Sequence, residues 1–147
     1  MQALYYIDLS HRDTEDALAL FRRAFTPPKK VEPFFDELVR GVWRDRKAID
    51  RIVERYSDHW RVSRMACVDR NILRIAVYEM LRHRDIPPTV SINEAIEMGK
   101  RFGTDASGPF INGILDRVRM AIDNSEIEPL PDLPSPTETH NDERSET

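Results

Sequence analysis

The 147 residues leave room for one domain and a tail, and a hydrophobic content of 40% is enough for a single core. No apolar run approaches the roughly 18 residues that cross a bilayer, and a lone cysteine, Cys67, excludes an internal disulfide or a CxxC metal site, so a cytoplasmic protein held together by its core is expected. The net charge of -4 is unevenly divided: from Asp123 to Thr147 eight acids face only Arg144, giving -7, while residues 1–122 hold 21 basic and 18 acidic side chains, giving +3. That balance permits a polyanionic partner without requiring one.

Helical periodicity runs through the first 122 residues, and no stretch alternates long enough for a buried strand. The class is therefore all-α, with about seven helices. "MQALYYIDLS" opens inside an amphipathic helix with Ala3, Leu4 and Ile7 on one stripe. "DTEDALALFRRAF" has Asp13 or Thr14 as cap and Leu18, Phe21 and Phe25 as a face, and "TPPKK" stops it. "VEPFFDELVRGVWRDR" and "KAIDRIVERYSDHW" carry Phe34, Phe35, Leu38 and Val42, then Ile49, Ile52, Val53 and Tyr56, at three-and-four spacing. A short polar turn at Asp45 to Lys47 makes them packed neighbours.

"VDRNILRIAVYEMLRH" surrounds itself with Ile72, Leu73, Ala76, Val77, Met80 and Leu81, the pattern of a central helix, and "RDIPP" ends it. In "SINEAIEMGKRF", Ser91 and Glu94 have capping-box spacing, and Gly103 falls where a left-handed residue would close the helix. "GTDASGP" is then a loop, with Ser107 or Gly108 as cap and Pro109 leading into "FINGILDRVRMAI". Gly113, beside the face of Phe110, Ile114, Leu115 and Val118, predicts a close neighbour. Residues 123–147 are rich in proline and acids and are expected to be a disordered tail.

Catalysis finds little support. The five glycines are dispersed, with none before a Lys-Ser or Lys-Thr pair, and His11, His59, His83 and His140 form no metal-ligand spacing. Cys67 has no nucleophile signature, and Glu79, Glu94 and Glu97 are explained by capping or helix polarity. No cofactor and no metal are expected. Binding has more to work with. "GKRF" places Lys100 and Arg101 before Phe102, and Phe110 stands across the "GTDASGP" loop. Cations that neutralise phosphate beside aromatics that stack on unpaired bases are what single-stranded RNA recognition requires. By spacing alone, Phe102 and Phe110 read as core residues more readily than as stacking platforms, and Lys100 and Arg101 as a solvated helix end.

"NILRIAVYEML", "DIPPTVSINEAIEMGKRFG" and "FINGILDRV", in this order and spacing, resemble the signature region of the NusB transcription antitermination factors, and "QALY" is similar to that family's first helix. The resemblance implies two small helical bundles and RNA binding without catalysis. It implies pairing with NusE, a small-subunit ribosomal protein, binding of the boxA element in ribosomal RNA leader transcripts, and indirect contact with other Nus factors and RNA polymerase. Carried over by position, the RNA surface comprises Gln2, Lys100, Arg101, Phe102, Ser107 and Phe110, and the NusE surface Tyr5 and Asp69. Asn93, Glu94, Asn112 and Gly113 match the signature as structural residues, the two asparagines joining helices by hydrogen bonds. A scaffold that binds NusE without RNA and an accessory domain of an rRNA methyltransferase system are the alternatives, and the resemblance also leaves open a homodimer, which in some relatives covers the RNA surface.

Two positions depart from the family pattern. Many relatives carry an acid where this chain has Ala106, and they begin with an arginine-rich segment ahead of "QALY", where this chain has Met1. Phosphate neutralisation dominates nucleic-acid affinity. A basic segment added ahead of Met1 is therefore expected to raise boxA affinity in a direct titration, and an unchanged Kd counts against that role.

Overall fold

The computed structural model of the chain describes residues 2, 4, 5, 8, 32–127 and 130. Among them every regular element is helical. Gln2, Leu4, Tyr5 and Asp8 are helical; α1 spans Glu32–Arg44, α2 Arg46–Tyr56, a 3-10 turn Val62–Arg64, α3 Cys67–Arg82, α4 Pro88–Phe102 and α5 Ser107–Asp123. The helix expected over "DTEDALALFRRAF" and the side chains of Phe34 and Phe35 lie outside the described residues.

The centre of the fold is α3, buried without interruption from Asn71 to Leu81 and packed against α1, α2, α4 and α5. Its apolar residues meet Val39 and Val42 of α1, Ile49 and Val53 of α2, Ile92 and Ala95 of α4, and Ile111, Ile114, Leu115 and Val118 of α5 in one cluster, to which Leu4 belongs. A helix buried all round also buries its polar residues, which must be paired. Each pairs with a different element. Tyr78 donates to Glu37 of α1 (2.6 Å), Arg74 makes two hydrogen bonds to Asp50 of α2 (2.8 and 2.9 Å), and Glu79 accepts the Ser91 hydroxyl of α4 (2.9 Å). Arg82 reaches Asp45 at the α1–α2 corner (3.1 Å).

The first segment is held by Asp8. Its Oδ2 accepts from Arg70 (2.6 Å), Asn71 (3.0 Å) and Arg74 (3.1 Å), and from the Cys67 thiol (3.4 Å). Burial raises the Asp8 pKa, but the Arg70 and Asn71 bonds and the charges of Arg74 and Arg70 outweigh it and hold the carboxyl below the usual range. Burial and the same carboxylate push the Cys67 thiol up, consistent with a structural role. Burial and the bond to Glu37 push Tyr78 up to about 12. Close packing against that ring demands Gly41, because a Cβ there would overlap the Tyr78 hydroxyl.

Local expectations change in several places. Asp45 alone separates α1 from α2, its amide bonding Gly41 and its carbonyl Ile49 (both 3.0 Å), so the corner is tighter than a three-residue turn. Ser91 is not a cap: α4 starts three residues earlier, because extended Pro87 precedes it and Pro88 at the first helical position needs no amide partner. That start moves Ser91 inside the fold, where it satisfies Glu79. Gly103 closes α4 in an extended rather than left-handed conformation, and Ala106 caps α5, which places Pro109 within its first turn. Gly113 is exposed with nothing near a potential Cβ, and Asn93 and Asn112 are exposed and bond no neighbouring helix among the described residues. Finally, α5 ends in a Schellman turn with left-handed Ser125, Glu126 bonding Ala121 (2.8 Å) and Ser125 bonding Ile122 (3.1 Å). This returns Ile127 and Leu130 to the core, so contact with the helical body continues past residue 122.

Replacing Asp8 by Ala leaves Arg70 and Arg74 without this carboxylate and is expected to cost about 3–5 kcal/mol in chemical denaturation. Because the folded pKa of Asp8 is depressed, its contribution is complete above the ordinary carboxylate range and is lost as pH falls through the lowered value. The stability of Asp8→Ala should therefore fall less steeply on acidification than that of the parent chain.

Candidate nucleic-acid interface

The end of α4, residues 103–106 and the start of α5 form a tight hairpin. The α4 repeat turns its apolar side, Ile92 and Ala95, inward, leaving Glu97, Lys100, Arg101 and Phe102 exposed. Gly99 lies at the helix contact, where a Cβ would press on Ile111 Cδ1 at 2.9 Å. Gly103 leaves room for Ser107: its missing Cβ would overlap Ser107 Oγ and come within 2.8 Å of the Gly99 carbonyl. Ser107 Oγ in turn accepts the Thr104 amide (2.9 Å), and the Ser107 amide donates to Thr104 O (3.0 Å). These reciprocal bonds fix the loop without a ligand.

Lys100, Arg101 and Phe102 line a surface groove of about 420 Å³ together with Glu97 and Met98. Phe102 keeps 39% of its surface exposed, and the Arg101 guanidinium lies 5.4 Å from its ring centroid. Such a contact at an exposed site contributes roughly 0.5–1 kcal/mol and orients both groups. Lys100 pairs with Glu97 at 3.4 Å. An exposed pair of this kind is worth less than about 1 kcal/mol, so an incoming phosphate can displace the carboxylate.

The positions expected to face RNA divide. Lys100, Arg101 and Phe102 are exposed side by side, and Gln2 is exposed on the first segment. Phe110 is half-buried against the core. Ser107 differs from expectation: it is 2% exposed and its Oγ is engaged by Thr104, so its side chain shapes the loop instead of presenting itself to a ligand. Residue type concealed this, because a serine at a helix start reads as a cap, and only the close approach of Gly103 to Ser107 reveals the buried hydroxyl.

Tyr5 and Asp69 belong to a separate region. The Asp8–Arg70 bond ties the first segment to the first turn of α3, so the two residues stand on neighbouring elements. Tyr5 is exposed, whereas Asp69 is half-buried and its Oδ1 is enclosed with no hydrogen-bond partner among the described residues. A buried unpaired acceptor costs roughly 1–3 kcal/mol.

The NusB family model matches residues 1–120. The chain belongs to the NusB family. A transcription antitermination protein NusB from Desulforapulum autotrophicum is 52% identical over 132 residues, covering 87% of this chain and 92% of the relative. The solved structure of T. maritima NusB superposes with a TM-score of 0.75 at 38% identity, over 86% of this chain and 91% of that one. A crystal structure of antitermination factors NusB and NusE in complex with dsRNA gives a TM-score of 0.72 at 23% identity, over 81% and 89% of the two chains, a likeness of fold.

Within this NusB fold the two glycines make opposite demands. Gly103→Ala forces Ser107 or the Gly99 carbonyl to move and is expected to lower the melting temperature. Gly113→Ala meets open space in a helix and is expected to raise stability by about 0.5–1 kcal/mol. Thermal unfolding of the two variants checks both signs.

Proposed function

We propose that this chain is a non-catalytic, cytoplasmic transcription antitermination factor that binds boxA RNA of ribosomal RNA leader transcripts and pairs with NusE. The observation that carries the RNA part is the exposed row Lys100, Arg101 and Phe102 beside a loop already held in shape by Ser107. The cations meet phosphates, the Phe102 face accepts an unpaired base, and the prearranged loop spares the RNA complex an ordering cost. Phe110 and Gln2 extend that surface. Ser107 acts through the loop.

NusE pairing is supported by Asp69. Its half-buried carboxylate stands in the first turn of α3, on the element next to the one that carries exposed Tyr5, and offers a charged group at the edge of that surface. Tyr5, with an apolar ring and a hydroxyl, suits the centre of the same interface. The antitermination names of the relatives that cover most of the chain support the biological setting, in which the paired proteins act with other Nus factors on RNA polymerase.

Titration with boxA RNA in the presence of NusE should give affinity that falls steeply with salt, and Lys100→Ala should reduce the log–log slope by about 1. Phe102→Ala should weaken binding by about 1–3 kcal/mol with the slope unchanged. Failure to bind at low salt with NusE present overturns the RNA reading, and undiminished NusE pairing in Asp69→Ala overturns the role of that residue.

A further inference from the structure

The connection between α2 and α3 presents a second aromatic surface. Trp60 is 56% exposed, although its neighbours Val62 and Met65 are buried, and it lies with Asp58, His59, Arg61 and Arg64 around a depression of about 390 Å³. The backbone around Trp60 is tied by local bonds. Asp58 and His59 are left-handed at φ 58° and 64°. The Ser57 hydroxyl lies 3.3 Å from both the Glu54 and Trp60 carbonyls, and the Glu54 carboxylate accepts the Val62 amide at 3.0 Å.

This surface continues from the hairpin along α5. Phe110 and Arg117 are seven residues apart, two turns on one flank of the helix and about 10 Å along its axis. Gly113 between them offers no side chain and is open to solvent. Arg117 then reaches the α2 end, pairing with Asp58 at 3.0 Å and contacting the Tyr56 carbonyl at 3.4 Å. The flank therefore runs from the loop over a bare helical turn to an exposed indole between arginines. Among the described residues, Asp58 is the one carboxylate lining the depression, and it already faces Arg117.

We infer that Trp60, with Arg61 and Arg64, is a second contact for single-stranded RNA, stacking on a base of the strand that passes the Lys100–Phe110 hairpin. The inference rests on the RNA-binding reading above. A rigid aromatic platform with flanking guanidinium groups takes any base face, so this contact adds affinity and length dependence without sequence preference.

RNAs containing boxA and graded from about 4 to about 16 nucleotides separate the two sites. The longer RNAs should bind more tightly than the shorter and should change tryptophan emission. Trp60→Ala should abolish the length-dependent gain, weakening the long RNA about fivefold or more and leaving the short RNA unchanged, while Trp60→Phe should retain most of it. Trp43, half-buried under the Arg46 guanidinium at 3.8 Å, supplies the background, which the Trp60→Phe spectrum isolates. Arg61→Ala should lower the salt slope for the long RNA by about 1. Equal affinity of Trp60→Ala and the parent chain for long RNA overturns the inference. So does an emission change elicited by NusE alone and absent with RNA. Failure of every RNA length to bind instead overturns the RNA reading itself.

Discussion

Burying α3 on all sides sets the terms for the rest of the fold. A helix with one wet face can leave its polar residues in water, but Asn71, Arg74, Tyr78 and Glu79 have none available. Each therefore fixes one neighbour at one rotation and height, and the apolar contacts fill the space between. Apolar side chains alone tolerate sliding, because one leucine replaces another at small cost. Directional bonds from α3 to Asp8, Asp50, Glu37 and Ser91 remove that freedom. The Arg74 guanidinium is the most heavily bonded, since it bridges two carboxylates from different segments and lies 5.7 Å from the Trp43 ring centroid.

Positioning of the candidate interface follows from this. Glu79 accepts Ser91 in the first turns of α4, which sets the rotation of α4 and so turns Lys100, Arg101 and Phe102 outward three turns later. The carboxyl of Glu79 is pushed above its ordinary range by burial, against the Ser91 bond, so the link works in either protonation state: a neutral carboxyl still accepts the hydroxyl. At the far end, Gly99 and Gly103 allow α5 to turn back within a few residues, and the Ser107 bonds close the loop. The interface residues are surface groups on a rigid hairpin.

Helix content, the central place of α3 and the cation–aromatic run "GKRF" were legible in the sequence, because periodicity and residue type determine them. What escaped were the residues whose roles depend on where another segment passes. Ser91 has capping-box spacing, yet the preceding Pro88 starts the helix earlier and a buried glutamate claims the hydroxyl. Ser107 is a polar residue at a helix start and looks exposed until the contact with Gly103 is known. Gly113 sits beside an apolar face, but the helix presents it to solvent, so its missing side chain reports no close neighbour. Asp8 carried no local signal at all, since its partners lie about sixty residues away.

Charge and aromatic exposure then explain how a chain of net charge -4 can serve a polyanion. Screening limits surface fields to about one Debye length, roughly 8–10 Å, so the acids concentrated after Asp123 in sequence do not have to be matched by cations over the whole body. Local composition governs contact instead. Among the described residues, Glu97 is the acid that lines the groove of Lys100 and Arg101, and Asp105 is exposed on the adjoining loop. Position 106 is alanine, so no carboxylate is added there to repel phosphate. Affinity at such a surface is carried by a few cations and by aromatic faces whose stacking is insensitive to salt.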